Sequence, residues 1–329
     1  MGTNTIMGAK KTLDIKAILE MKDQIISKYG PWHVNNVYLQ DDVYTIGPKI
    51  VGDEIKLRRI VQCVLDHTGG TLDGLRVLDL GCGEGIYSIE FARQGASCVA
   101  IEGRKPNAEK VRFVKRALSL DNMEVLQEDV RNLSAAKHGH FDVVLCLGIL
   151  YHLTASEVVD FVANLYDVCR KICIVDTRVE LRPKTSYVFD GATFWGKWGE
   201  EHWPGYSKKV KLARLGASLD NEYNFWVSRP SIYNLLSHVG FTSVYECNIP
   251  AEPTKPADRF TFVAVKGQPC QLLSAPLMAT HPRGGMPERP IPEHSNTYNL
   301  LSRMSHLLPW RARRFGKKLL SMDRSLRGI

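Results

Sequence analysis

Three glycines at alternate positions, Gly81, Gly83 and Gly85, stand between the apolar run Val77, Leu78, Asp79, Leu80 and a helical pattern from Ile86 to Ala92. A strand, turn and helix of this kind removes Cβ atoms from the turn, so a ligand can approach main-chain N–H groups at the helix start. Glu102 ends the next strand pattern, about 20 residues further on, where a nucleotide-binding α/β fold offers an acid to ribose hydroxyls. Asp129 follows the third strand pattern, and Gly148, Ile149, Leu150, Tyr151 and His152 follow the fourth. His152 is the residue suited to proton transfer near neutral pH, and is equally able to cap the following helix or bind substrate. Tyr151 offers a hydrogen bond or a ring face for a planar substrate. A dinucleotide fingerprint needs G-x-G-x-x-G, but the third glycine comes one residue early and Ile occupies position 86, so the spacing disfavours NAD.

The elements that must carry these residues repeat as strand and helix. Apolar alternation predicts strands at 76–80, 97–102, 123–127, 141–147, 172–177, 243–249 and 259–266. Helical spacing predicts helices at 85–94, 106–119, 156–169 and 231–239; Pro106 suits a first turn, and Thr154 with Glu157 forms a capping box. The fold class is therefore α/β, a doubly wound, seven-stranded Rossmann-like sheet. Residues 1–70 form an N-terminal cap, with helices at 12–28 and 53–66 around a hairpin through Tyr38, Val43 and Tyr44. The main domain covers 71–266. Within it the stretch 179–228, which carries Trp195, Trp198 and Trp226, leaves from the carboxyl end of the fifth strand, the ligand side of such sheets, as a lid or substrate wall. Trp32 and His33 in the cap are further candidates for that wall.

With 44% hydrophobic residues, the 329-residue chain has enough apolar material for a sizeable core. No apolar run reaches the length of a transmembrane helix, and the first residues lack the apolar centre of a secretory signal, so a cytoplasmic location is expected. The eight cysteines show no C-x-x-C and no Cys/His cluster of metal spacing; they read as reduced core residues, and no metal is expected. Residues 267–329 hold ten Lys or Arg against three Asp or Glu, most of the net charge of +8. Residues 267–297 read as a Pro-rich linker, and 298–329 as a basic amphipathic helical tail interrupted by Pro309. Such a tail suits an anionic membrane surface, RNA phosphates or docking on its own domain.

The glycine loop and the ordered acids resemble the class I S-adenosylmethionine-dependent methyltransferases. The resemblance implies that the last strand inserts antiparallel, and that Asp79, Gly81, Cys82, Gly83 and Gly85 line the methionine end of S-adenosylmethionine. It further implies Glu102 at the ribose, Asp129 at the adenine amino group and Gly148 in the substrate-facing motif. His152 and Tyr151 are then the catalytic candidates, and the acceptor is a small molecule or tRNA. A partial likeness, carried by Gly30-Pro31-Trp32, Leu150-Tyr151-His152, Phe225 to Ser231 and Arg259, is to bacterial enzymes that carboxymethylate the tRNA wobble uridine from carboxy-S-adenosylmethionine. In that family Tyr151 and Arg259 would hold the extra carboxylate together with a lysine, but Tyr29 stands where the lysine is expected, with Lys28 beside it. From another class, the chain would be a non-catalytic, cofactor-binding partner subunit.

Overall fold

The computed structural model describes residues 13–48, 54–253, 255–274 and 286. Helix α1 (Ile15–Tyr29) starts where the Asp14 carboxylate accepts the Ala17 N–H. It is followed by the antiparallel pair β1 (Tyr38–Gln40) and β2 (Val43–Tyr44), then by α2 (Glu54–His67). The nucleotide-fold core follows as β3 (Arg76–Leu80), α3 (Ile86–Arg93), β4 (Ser97–Ile101), α4 (Lys105–Ala117) and β5 (Met123–Leu126). The short α5 (Ala135–His138), which the sequence pattern did not suggest, precedes β6 (Phe141–Leu147), α6 (Ala155–Val168) and β7 (Cys169–Arg178). The expected insertion holds β8 (Thr185–Phe189), β9 (Ala192–Glu200), α7 (Lys208–Ala213) and β10 (Tyr223–Val227). The chain returns through α8 (Arg229–His238), β11 (Ser243–Glu246) and β12 (Arg259–Val265).

The main sheet has the order β11-β12-β7-β6-β3-β4-β5. Strands β3 to β7 pair in parallel, whereas β12 enters antiparallel between β7 and β11. The expected seven-stranded Rossmann-like sheet with an inserted antiparallel last strand is therefore present. Its strands are covered on both faces, which is why they read as near-continuous apolar runs. Side chains alternate: Val77, Val143 and Leu145 join Ile18, Ile60, Phe91 and Val111 on the face covered by α1 to α4. Leu78, Leu80, Val144 and Cys146 face α6 and α8 through Val158, Val162, Leu235 and Leu236.

The cap is joined to the sheet by buried charge as well as by apolar packing. Arg59 of α2 is 1% exposed and donates to the Pro250 carbonyl, the Thr261 hydroxyl and the Glu252 carboxylate, the last at 2.6 Å. A buried guanidinium is tolerated only when so fully partnered. The insertion forms a separate three-stranded antiparallel sheet, β10-β9-β8. Six cysteines are buried and all eight are free thiols, while Cys247 is half-buried and Cys270 exposed. Among the described residues no helix is long and apolar enough to cross a membrane. The basic segment 298–329 and most of the Pro-rich stretch before it lie outside the described residues.

Candidate active site

A cavity opens at the carboxyl ends of β3, β4, β5 and β6. Gly81, Gly83, Glu102, Asn107, Asp129, Gly148, Ile149 and His152 line it from the sheet side, and Leu215, Ala217, Ser218, Leu219 and Asn221 line it from the insertion. Gly81, Gly83, Glu102, Asp129, Gly148 and His152, singled out from separate strand ends, thus share one wall. Gly83 has φ +58 with open space where a Cβ would stand, so the loop backbone is accessible there. At Gly85 (φ +86) a Cβ would meet Val111 at 2.8 Å, so this glycine serves close packing of the loop on α4.

Glu102 is buried. Its Oε2 accepts the Gly83 N–H at 2.9 Å and its Oε1 the Arg104 N–H at 2.7 Å, which fixes the acid against the glycine loop. Burial pushes its carboxyl up, against the opposing pull of those N–H groups and the Arg104 charge. Asn107 beside it is buried and lines the cavity, and its Oδ1 has no hydrogen-bond partner among the described residues. Asp129 caps the turn that follows it and holds Arg131 through both oxygens. Arg131 also reaches Glu157 and Asp220, tying the third strand end to α6 and to the insertion.

Asp79, Cys82 and Gly85 lie under the loop and do not line the cavity. Asp79 is 1% exposed and accepts the Ser88 N–H at 3.1 Å; burial pushes its carboxyl up to about 7. Cys82 is buried, and its N–H bonds the Ile101 carbonyl. The remaining loop residue, Glu84, escaped the sequence reading. Its carboxylate accepts main-chain N–H groups of His33, Val34 and Asn35 and the Lys110 ammonium at 2.9 Å. Burial opposes ionisation, but those donors outweigh it and hold Glu84 below the usual carboxylate range. His33 therefore contributes its backbone to this clamp, and its side chain is exposed. Trp32 is core, packed on Phe113 with ring centroids 5.5 Å apart, and neither residue reaches the cavity.

His152 points Nδ1 at Glu201 Oε1, 2.7 Å away. Glu201, one residue past β9, was not anticipated, because a lone acid after a strand looks like any solvated loop residue. Tyr151 packs its ring on His152 and edge-on to Trp226. Burial pushes its phenol up, with the Arg259 charge opposing. Arg259 Nε donates to Asp176 Oδ1 at 2.6 Å, and Asp176 also accepts the Thr261 hydroxyl. The Tyr151 hydroxyl and Arg259 Nη2 each stand 3.5 Å from where a Cβ on Gly148 would lie. Trp195 and Trp198 are exposed, on the small sheet, and Trp226 sits between Tyr151 and Arg178. The cavity wall supplied by the insertion is thus the loop after α7 and not the tryptophans.

That loop is clasped. The Arg104 guanidinium donates to the carbonyls of Leu212, Arg214, Ala217 and Ser218, and Asn221 donates to the His152 carbonyl and to Glu157.

The sheet order and a cavity at the glycine-loop end define the Rossmann-like fold used by class I methyltransferases. Residues 77–171 match the family described as Methyltransferase domain. The chain is 33% identical over 89 residues to a ubiquinone biosynthesis O-methyltransferase of Acinetobacter baumannii (strain AYE), covering 27% of this chain and 38% of that protein. It is 28% identical over 167 residues to the protein of the same name from Rickettsia prowazekii, covering 50% and 63%. The chain thus spans less than two thirds of these relatives' length. Among solved structures, the N-terminal domain of EvdMO1, crystallised in the presence of SAH and D-fucose, superposes with a TM-score of 0.59 at 23% identity, covering 78% of this chain and 97% of that one. That likeness establishes the fold.

Proposed function

We propose that the chain transfers a methyl group from S-adenosylmethionine to an acceptor that enters between the Gly148 to His152 turn and the loop after α7. The observation that carries this reading is the convergence of Gly81, Gly83, Glu102, Asn107, Asp129 and Gly148 on one cavity at the ends of four consecutive parallel strands. The residues present fit the cofactor. Glu102 is an acceptor for ribose hydroxyls with Asn107 beside it on the cavity wall, and Asp129 with Arg131 borders the adenine side. Gly81 and Gly83 leave room for the amino-acid end. When bound, S-adenosylmethionine supplies a methyl group activated by a positive sulfur. The protein then has to hold the acceptor in line with that methyl and exclude water. His152 lines the cavity and is placed to take a proton, while Tyr151 and Trp226 pack beside it outside the cavity lining. The O-methyltransferase name of the curated relatives agrees with an oxygen acceptor.

Calorimetry with S-adenosylhomocysteine, followed by a search for label transferred from methyl-labelled cofactor in an extract, tests the reading. Saturable binding plus a labelled product is expected. Binding without product would favour a non-catalytic partner subunit, and no binding would overturn the proposal.

A second reading keeps the fold and changes the group transferred. The approach of the Tyr151 hydroxyl and Arg259 Nη2 to Gly148 suits an extra carboxylate on the cofactor, as carboxymethyl transfer to tRNA requires. Arg259→Ala would then lose affinity for the carboxylated cofactor selectively. A wild-type preference for plain S-adenosylmethionine that the substitution leaves unchanged would sink it.

A further inference from the structure

We propose that Glu201 is the positioning residue of His152: it holds the imidazole with the proton on Nδ1 and Nε2 as the base, which selects acceptors that attack through a hydroxyl. The inference rests on the methyl-transfer reading and names the substrate class of that site.

Glu201 is 9% exposed and three donors meet its carboxylate. His152 Nδ1 and the Ser218 N–H share Oε1, and the Asn224 amide takes Oε2. Burial opposes ionisation of Glu201, but the His152 hydrogen bond, the Ser218 N–H and the Asn224 amide hold the carboxyl below its usual range. An ionised carboxylate only accepts hydrogen bonds, so Nδ1 must carry a proton, and in the neutral ring the lone pair then falls to Nε2. Among the described residues Nε2 has no hydrogen-bond partner, and His152 lines the cavity.

A hydroxyl retains its proton at neutral pH and is a poor nucleophile until that proton leaves. As the acceptor oxygen forms its bond to the methyl carbon, the carbon–sulfur bond breaks and its electron pair stays on sulfur. The hydroxyl proton passes to His152 Nε2. The positive charge that leaves sulfur thus appears on an imidazolium 2.7 Å from a carboxylate. The Ser218 bond adds a coupling. Ser218 belongs to the loop that Arg104 clasps through three carbonyls, so the same carboxylate oxygen senses whether the loop is seated and orients the base.

The test is spectroscopic and needs no acceptor. In full-length protein with 15N-labelled histidine, long-range 1H–15N spectra report the tautomer of each ring, and His152→Ala identifies the signal. Wild type is expected to show the Nδ1–H form in roughly tenfold excess or more, the preference one charge-assisted bond supplies. Glu201→Gln, whose carbonyl oxygen still accepts from Nδ1, should keep that form. Glu201→Leu should shift the ring toward the Nε2–H form that water favours. Should the leucine variant not fold, Glu201→Asp, too short to hold the same bond, should show a mixture. A wild-type ring in the Nε2–H form, or a leucine or aspartate variant with the wild-type spectrum, overturns the proposal. Loss of S-adenosylhomocysteine binding in wild type would overturn the methyl-transfer reading instead, so the two failures are distinguishable.

Discussion

At the scale of single residues, the acids at the strand ends divide into those that meet the cavity and those that hold the loop in shape. Glu102 does both, because its two oxygens carry the Gly83 and Arg104 N–H groups while its carboxylate borders the cavity. Glu102→Ala should weaken S-adenosylhomocysteine binding by about 10- to 100-fold, the equivalent of one or two hydrogen bonds to a charged group, as read by calorimetry. Asp79 lies deeper, and burial pushes its carboxyl up to about 7 from an ordinary 3.8. Between those values the folded chain keeps a proton that the unfolded chain has released. Its contribution to stability is therefore greatest at acid pH and is lost as pH rises through that window. Asp79→Asn should flatten this part of the profile. Urea unfolding at pH 5 and pH 8 checks it: the drop in stability between the two should be smaller in the variant than in wild type.

At the scale of elements, the insertion is a small sheet whose loop, and not its aromatic face, completes the cavity. Arg104 precedes α4 and spends its guanidinium on the Leu212 carbonyl at the end of α7 and on three carbonyls of that loop, while Arg131 and Asn221 fasten its far end to Asp129, Glu157 and the His152 carbonyl. Without these donors the carbonyls lose their protein partners, so the loop should open locally before the sheet does. Arg104→Ala is expected to speed amide exchange over residues 212–221 by tenfold or more, on the order of two lost bonds to a charged group, with little change in β3 to β7. Equal acceleration across the sheet would mean that the clasp supports the whole domain. The predicted capping box is seen at α6, where Glu157 accepts the Thr154 N–H at 2.9 Å, and its carboxylate also receives Arg131 and Asn221. One local motif thus also anchors a distant loop.

At the scale of the whole molecule, the cap, the sheet and the insertion form one body with apolar clusters on both sheet faces. Glu84 joins the glycine loop to the cap, and Arg59 joins the cap to β12. Residues 1–266 are nearly balanced in charge, and most of the net charge falls in residues 267–329 of the sequence. If that segment meets an anionic surface, full-length protein should sediment with vesicles containing phosphatidylserine at low salt and be released as salt is raised, while a chain ending at residue 288 should not sediment. Salt-independent binding, or equal binding by the shortened chain, would rule out that role.

The strand and helix series, the glycine loop and the acids at successive strand ends were legible in the sequence. Side-chain alternation and helical spacing are local periodicities imposed by burial, and the turn chemistry is written in neighbouring residues. The antiparallel last strand entered through family resemblance, and register confirmed it. What pairs across the fold was not legible. Glu201 meets His152 across 49 positions, and Arg104 meets the carbonyls of the loop across more than 100. Main-chain carbonyls carry no residue signature, and an acid bound to histidine is written with the same letter as one bound to water. The sequence determined which strand ends supply residues to the cavity. Only the chain reversal of the insertion decided which groups close over it and how His152 is oriented, because those contacts arise from packing between segments that share no local pattern.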